Sequence, residues 1–115
     1  MKALMNLIPL SCKVTVYVPA TVNVNQEIDN AAQVERVARL LSQSFGGATA
    51  SPVNGYWVAD DGSLVKEKTV AVYAYCSTEQ AETYIDSVVD LCNELKHEMN
   101  QEAIALEYNG SMYFI

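Results

Sequence analysis

A chain of 115 residues, half of them hydrophobic and only 18% charged, has the make-up of one folded domain and excludes a disordered or low-complexity protein. Fourteen acidic against seven basic residues leave a net charge of −7. That charge disfavours direct binding of nucleic acid or an anionic membrane, and it suits a basic or nucleic-acid-binding protein as partner.

Met1 to Ser11 is apolar but short, and Asn6 and Pro9 interrupt it, so it makes a poor secretory signal. Residues 1–12 read as a flexible lead-in to a single domain over 1–115. Lys13 to Val18 reads as a strand, because Val14, Val16 and Val18 alternate with polar or aromatic residues. Thr21 to Glu27 is a polar connection. Asn30 to Phe45 reads as a helix with Asn30 and Gln33 as a capping box, a stripe of Val34, Val37, Ala38, Leu41 and Phe45, and Gly46-Gly47 as its stop.

Val53 to Asp60 is a second strand whose register leaves open whether Tyr56 or Trp57 shares the core face. Asp60 to Ser63 forms a hairpin turn, and Leu64 to Cys76 the third strand. Ser77 and Gln80 make a second capping box for a helix over Thr78 to Met99, with a stripe of Ala81, Tyr84, Ile85, Val88, Leu91, Cys92, Leu95 and Met99. Ile104, Leu106 and Tyr108 alternate, Asn109-Gly110 signals a tight turn, and Met112 to Ile115 returns as a last strand. The order β-α-β-β-α-β plus a C-terminal hairpin strand is that of an α+β, ferredoxin-like split βαβ sandwich, with two helices on one face of an antiparallel sheet.

Alternation then places Thr15, Tyr17, Ala71, Tyr73, Tyr75, Ala105 and Glu107 on the open sheet face. Tyrosine is apolar in body and polar at its tip, and it is enriched at interfaces. Thr15, Tyr17, Tyr73 and Tyr75 are therefore candidate residues for a partner or a homodimer. RNA domains of this topology stack bases on sheet aromatics, but Lys13, Lys66 and Lys68 are too few cations to flank such a platform. On the second helix Glu82, Asp86, Asp90, Glu94 and Glu98 fall at four-residue steps, with Glu79 just before them. Neighbouring like charges cost roughly 0.2–0.5 kcal/mol per pair. These six carboxylates are candidate contacts for a basic partner, set against the plainer reading of a solvated helix face.

No cofactor or metal is expected. Cys12, Cys76 and Cys92 are odd in number and not at zinc-knuckle spacing, which fits buried, reduced thiols in the cytoplasm. The single histidine, His97, lies in a charged stretch, and no nucleophile elbow, zinc helix, dinucleotide or phosphate-loop motif occurs. The residues thus carry no catalytic signature.

Four segments together, VTVYVPATVNVN (14–25), VARLLSQSFGGATA (37–50), GYWVADDGSLVKEKT (55–69) and MNQEAIALEYNG (99–110), resemble short orphan proteins of bacterial mobile elements and phages. The resemblance implies a setting in which small acidic proteins act by binding, including as inhibitors of host DNA-targeting defences. The leading expectation is a non-enzymatic protein-binding module, in its most concrete form an anti-CRISPR or anti-restriction inhibitor acting through the acidic surface. A ligand-sensing ferredoxin-like dimer and a small ferredoxin-like enzyme, with Tyr17, Tyr73 or His97 in a pocket, are the alternatives.

Overall fold

The structure is a computed structural model that describes residues 1–23 and 26–115. A 3-10 turn, Lys2–Leu4, lies in an exposed N-terminal stretch. The elements that follow are β1 (Cys12–Pro19), β2 (Thr21–Val22), β3 (Gln26–Glu27), α1 (Ala31–Phe45), β4 (Thr49–Val58), β5 (Leu64–Cys76), α2 (Thr78–Glu98), β6 (Ala105–Tyr108) and β7 (Ser111–Phe114). The main sheet runs β4-β5-β1-β6-β7 and is antiparallel throughout. This is the ferredoxin-like α+β sandwich expected, extended by a hairpin strand that pairs within the chain. The connection over 21–27 carries the small pair β2-β3, and Val24 and Asn25 of that segment lie outside the described residues.

Strand alternation dictates the core. Val14, Val16, Val18, Val72, Ala74, Ile104 and Leu106 are buried beneath the helices. Against them pack Val37, Leu41 and Phe45 of α1, and Ala81, Val88, Leu91, Cys92 and Leu95 of α2, with Met99 at its end. Tyr84 departs from the expected stripe. It is exposed at the helix rim and meets Phe45 edge-on, with ring centres 6.1 Å apart.

Ser77 and Gln80 form the expected reciprocal cap of α2. Asn30 does not cap α1 with its side chain. Its amide instead donates to the carbonyls of Val18 and Pro19, and Asp29 accepts from the Ala31 amide. The strand end competes for the asparagine and wins, which ties the helix start to β1. Gly46 closes α1 at φ +92, and Asn109-Gly110 both take positive φ, as a type I′ turn demands. Among the described residues, no helix is long and apolar enough to cross a membrane.

β4 and β5 outrun the rest of the sheet. β1 pairs with β5 only as far as Thr69, so Asn54 to Val58 and Leu64 to Lys68 project as a two-stranded arm. The radius of gyration, 15.7 Å, accordingly exceeds the roughly 13 Å usual for a chain of this length.

Candidate functional site

The open face is less open than alternation implies. Thr15 is only 3% exposed and Ala71 is buried, while Tyr75 is exposed and Tyr17 and Tyr73 are half-buried. Of the four residues expected on the accessible face, Thr15 is thus covered by its cross-strand neighbours Tyr73 and Glu107. Its hydroxyl has no hydrogen-bond partner among the described residues. Tyr17 donates its phenol to Glu107 at 3.1 Å. Burial, then that carboxylate, pushes the Tyr17 phenol above its ordinary value, so it stays a donor at neutral pH. Tyr73 and Tyr75 meet edge-on, and the Lys13 ammonium sits 4.5 Å and 5.5 Å from their ring centres. A cation–π contact therefore already occupies both rings.

A second group lies on the same face, beyond the end of β1. In the β4–β5 register Pro52 opposes the core-facing Val70, which puts Trp57 with Val65 on the open side and Tyr56 on the other. Gly55 stands opposite Glu67 and offers no side chain there. The indole of Trp57 fills that diagonal and donates its N–H to Glu67 Oε1 at 3.2 Å. Trp57, Glu67, Gln101, Glu102 and Ala103 line a cleft of about 440 Å³, within the size range of small-molecule sites. Gln101 is anchored by its amide to the carbonyl and hydroxyl oxygens of Thr21, at 2.9 and 3.2 Å. An indole face beside two carboxylates suits a cation carrying an aromatic body. Sequence reasoning missed Glu67; the one available signal was an acid between Lys66 and Lys68, facing away from the core on a strand.

On α2, Glu79, Glu82, Asp86, Asp90, Glu94 and Glu98 are all exposed, as expected. The row is shorter than it reads, because Arg36 of α1 bridges Glu94 and Glu98, each at 2.6 Å. Glu79, Glu82, Asp86 and Asp90 form no ion pair among the described residues. The open-face group and this row lie on different sides of the sandwich, so the structure does not join the two sets of candidate residues. His97 is exposed on α2, and no cluster of three metal-ligating side chains occurs among the described residues.

No protein-family model and no curated protein matches the chain. Among solved structures it is similar to a phage SAM lyase in complex with S-methyl-5′-thioadenosine, with 18% identity and a TM-score of 0.66 over 96% of this chain and 94% of that one. The same lyase in its apo state gives 20% identity and a TM-score of 0.67 over the same shares. The divalent ion tolerance protein CutA1 from Ehrlichia chaffeensis follows at 10% identity and 0.52, over 84% of this chain and 77% of that one. What these likenesses share with the chain is the fold, an α+β sandwich of ferredoxin-like topology.

Proposed function

We propose that the chain is a small phage-type enzyme acting on S-adenosylmethionine, a lyase that releases S-methyl-5′-thioadenosine. The observation that carries this reading is the Trp57–Glu67 cleft, on a fold matched almost end to end by a phage SAM lyase. The substrate is a sulfonium cation with an adenine at one end and an ammonium at the other. Trp57 supplies an aromatic face for a cation or a base, and Glu67 and Glu102 supply counter-charge for the cationic groups. The C–S bond breaks with its electron pair staying on sulfur, and the substrate's own carboxylate oxygen closes onto the carbon released. Two charges are cancelled in that step, so covering the cleft against water favours it. The protein is asked for binding, orientation and desolvation. That demand fits a chain without a histidine-based catalytic group.

This reading keeps the defence-inhibitor role expected from the sequence but moves the target from a protein to a metabolite. It also places the site of action in the cytoplasm, where the substrate is made and used. It includes self-association. Tyr56, Trp57, Val58 and Leu64 of the arm are each about half or more exposed, a lone hairpin is marginal in water, and a second copy laid on the arm would wall the cleft. A purely monomeric mass in solution overturns that part.

The test is incubation of the full-length protein with S-adenosylmethionine, with chromatographic detection of S-methyl-5′-thioadenosine. Product in molar excess over protein, reduced at least tenfold in Glu67→Gln, is expected. Absence of both product and calorimetric binding overturns the proposal.

The four unpaired carboxylates of α2 favour a second reading, the non-enzymatic inhibitor that docks a basic protein. In that case substituting Glu82, Asp86 and Asp90 by Lys abolishes capture of one salt-sensitive partner, whereas a lyase keeps its turnover in the same variant.

A further inference from the structure

The start of β1 and the start of α2 bring two thiols and three hydrogen-bonding groups together. Cys12 stands directly opposite Cys76 in the β1–β5 register. Cα atoms of such pairs are about 4.5–5.5 Å apart, inside the span that a disulfide bridges. Both side chains face the helix side of the sheet and both are buried. The Cys12 sulfur accepts from the Asn109 amide at 3.5 Å and from the Tyr108 hydroxyl at 3.8 Å, and it lies 3.8 Å from the Thr78 hydroxyl. Thr78 opens α2, a helix of 21 residues whose N-terminus favours negative charge.

These surroundings separate the three cysteines. Hydrogen bonding, Asn109 foremost and then Tyr108, holds the Cys12 thiol below its ordinary value. Burial pushes the Cys76 thiol up, and it pushes that of Cys92 up to about 12. Glu79 and Glu82, on the first turns of α2, oppose the trend at Cys12, but both are exposed and screened by solvent. The thiolate is the nucleophile, and donors at a helix N-terminus are what favour it. Cys12 is 4% exposed while Cys76 and Cys92 are fully buried, so of the three it is the thiol with surface open to a small oxidant.

We propose that Cys12 is a peroxide-reactive thiol and Cys76 its resolving partner, together forming a reversible cross-strand disulfide within one chain. The Cys12 thiolate attacks one peroxide oxygen. The O–O bond breaks, the leaving oxygen departs as water after taking up a proton, and Cys12 becomes a sulfenic acid. The Cys76 sulfur then attacks the Cys12 sulfur, the S–S bond forms and the S–O bond breaks. The oxygen leaves as a second water with the Cys76 proton. Two thiols are oxidised by two electrons, and one hydrogen peroxide is reduced to two waters. Cβ atoms across a strand pair stand slightly wider than a relaxed disulfide wants, so the bridge is expected to reduce readily. It would pin β1 to the residue before the α2 cap. It is independent of the proposed lyase activity.

The experiment treats the full chain with hydrogen peroxide, counts thiols after denaturation and weighs the intact protein without reductant. Wild type is expected to fall from three thiols to one, to lose the mass of two hydrogens while staying a single chain, and to recover with a dithiol. Cys76→Ser should give a dimedone adduct at Cys12, and Cys12→Ser should keep its thiols at the same dose. Three surviving thiols in wild type, equal thiol loss in Cys12→Ser, or an adduct at Cys92 overturns the proposal. Should either variant fail to fold, alkylation of native wild type by iodoacetamide at neutral pH, read peptide by peptide, decides it. Cys12 must react at least tenfold faster than Cys76 and Cys92, and equal rates refute the assignment.

Discussion

Replacing Thr15 by valine should make the protein more stable. Thr15 is 3% exposed in the middle of β1, and its hydroxyl meets no acceptor or donor among the described residues. A buried hydroxyl without a partner costs about 1–3 kcal/mol on mutational scales. Valine keeps the branched shape and the strand preference, and it exchanges that hydroxyl for a methyl that gains roughly 0.8 kcal/mol where it fits. A stabilisation of about 1–3 kcal/mol is therefore expected. With a urea m-value of about 1–3 kcal/mol per molar, the midpoint should rise by on the order of 1 M, and Tm by roughly 4 °C for each kcal/mol. Urea unfolding followed by tryptophan fluorescence and far-ultraviolet circular dichroism measures it. A loss of 1 kcal/mol or more would show that the hydroxyl is hydrogen-bonded in solution and that the reasoning fails. Turnover of S-adenosylmethionine by the same variant adds a second readout. Unchanged turnover is expected, because Thr15 lies in the middle of β1 and lines no part of the Trp57–Glu67 cleft.

Arg36→Ala removes two exposed ion pairs at once and leaves Glu94 and Glu98 as like-charged neighbours. The cost should be about 1 kcal/mol at low salt and should fade toward 1 M salt; a loss independent of salt would mean that packing, not charge, is what the arginine supplies. Burial raises the Cys92 thiol from 9.0 to about 12, so the folded state keeps a proton that the unfolded state has released. Stability from this group is complete below about pH 9 and falls as pH climbs toward 12. Cys92→Ala should lower stability at pH 7 by leaving a cavity, yet lose less than wild type between pH 9 and 11, and parallel pH profiles would contradict the shift.

Much of the architecture was legible because it rests on short-range rules. The alternation of Val14, Val16 and Val18, the two helical stripes apart from Tyr84, the Ser77–Gln80 cap and the Asn109-Gly110 turn each follow from local geometry, and the structure carries them. The misreadings share one cause, competition from a residue distant in sequence. Asn30 was drawn from its own helix to the end of β1. Tyr84 was displaced to the helix rim beside Phe45. Two of the six carboxylates in the acidic row on α2 are bridged by an arginine 58 and 62 residues away along the chain. The candidate cleft was legible only in part, since Trp57 could be assigned a face only after the β4–β5 register was known.

Composition and periodicity alone determined that this protein is one acidic α+β sandwich with two helices over an antiparallel sheet, because period, caps and turns act over a few residues. Only the tertiary structure decided which carboxylates stay unpaired, that Thr15 is sealed under its neighbours, that Trp57 folds onto Glu67, and that Cys12 faces Cys76 among hydrogen-bond donors. Those facts depend on strand register and on contacts between residues tens of positions apart. A shift of one residue in that register would send strand side chains such as Thr15, Trp57 and Cys12 to the other face of the sheet.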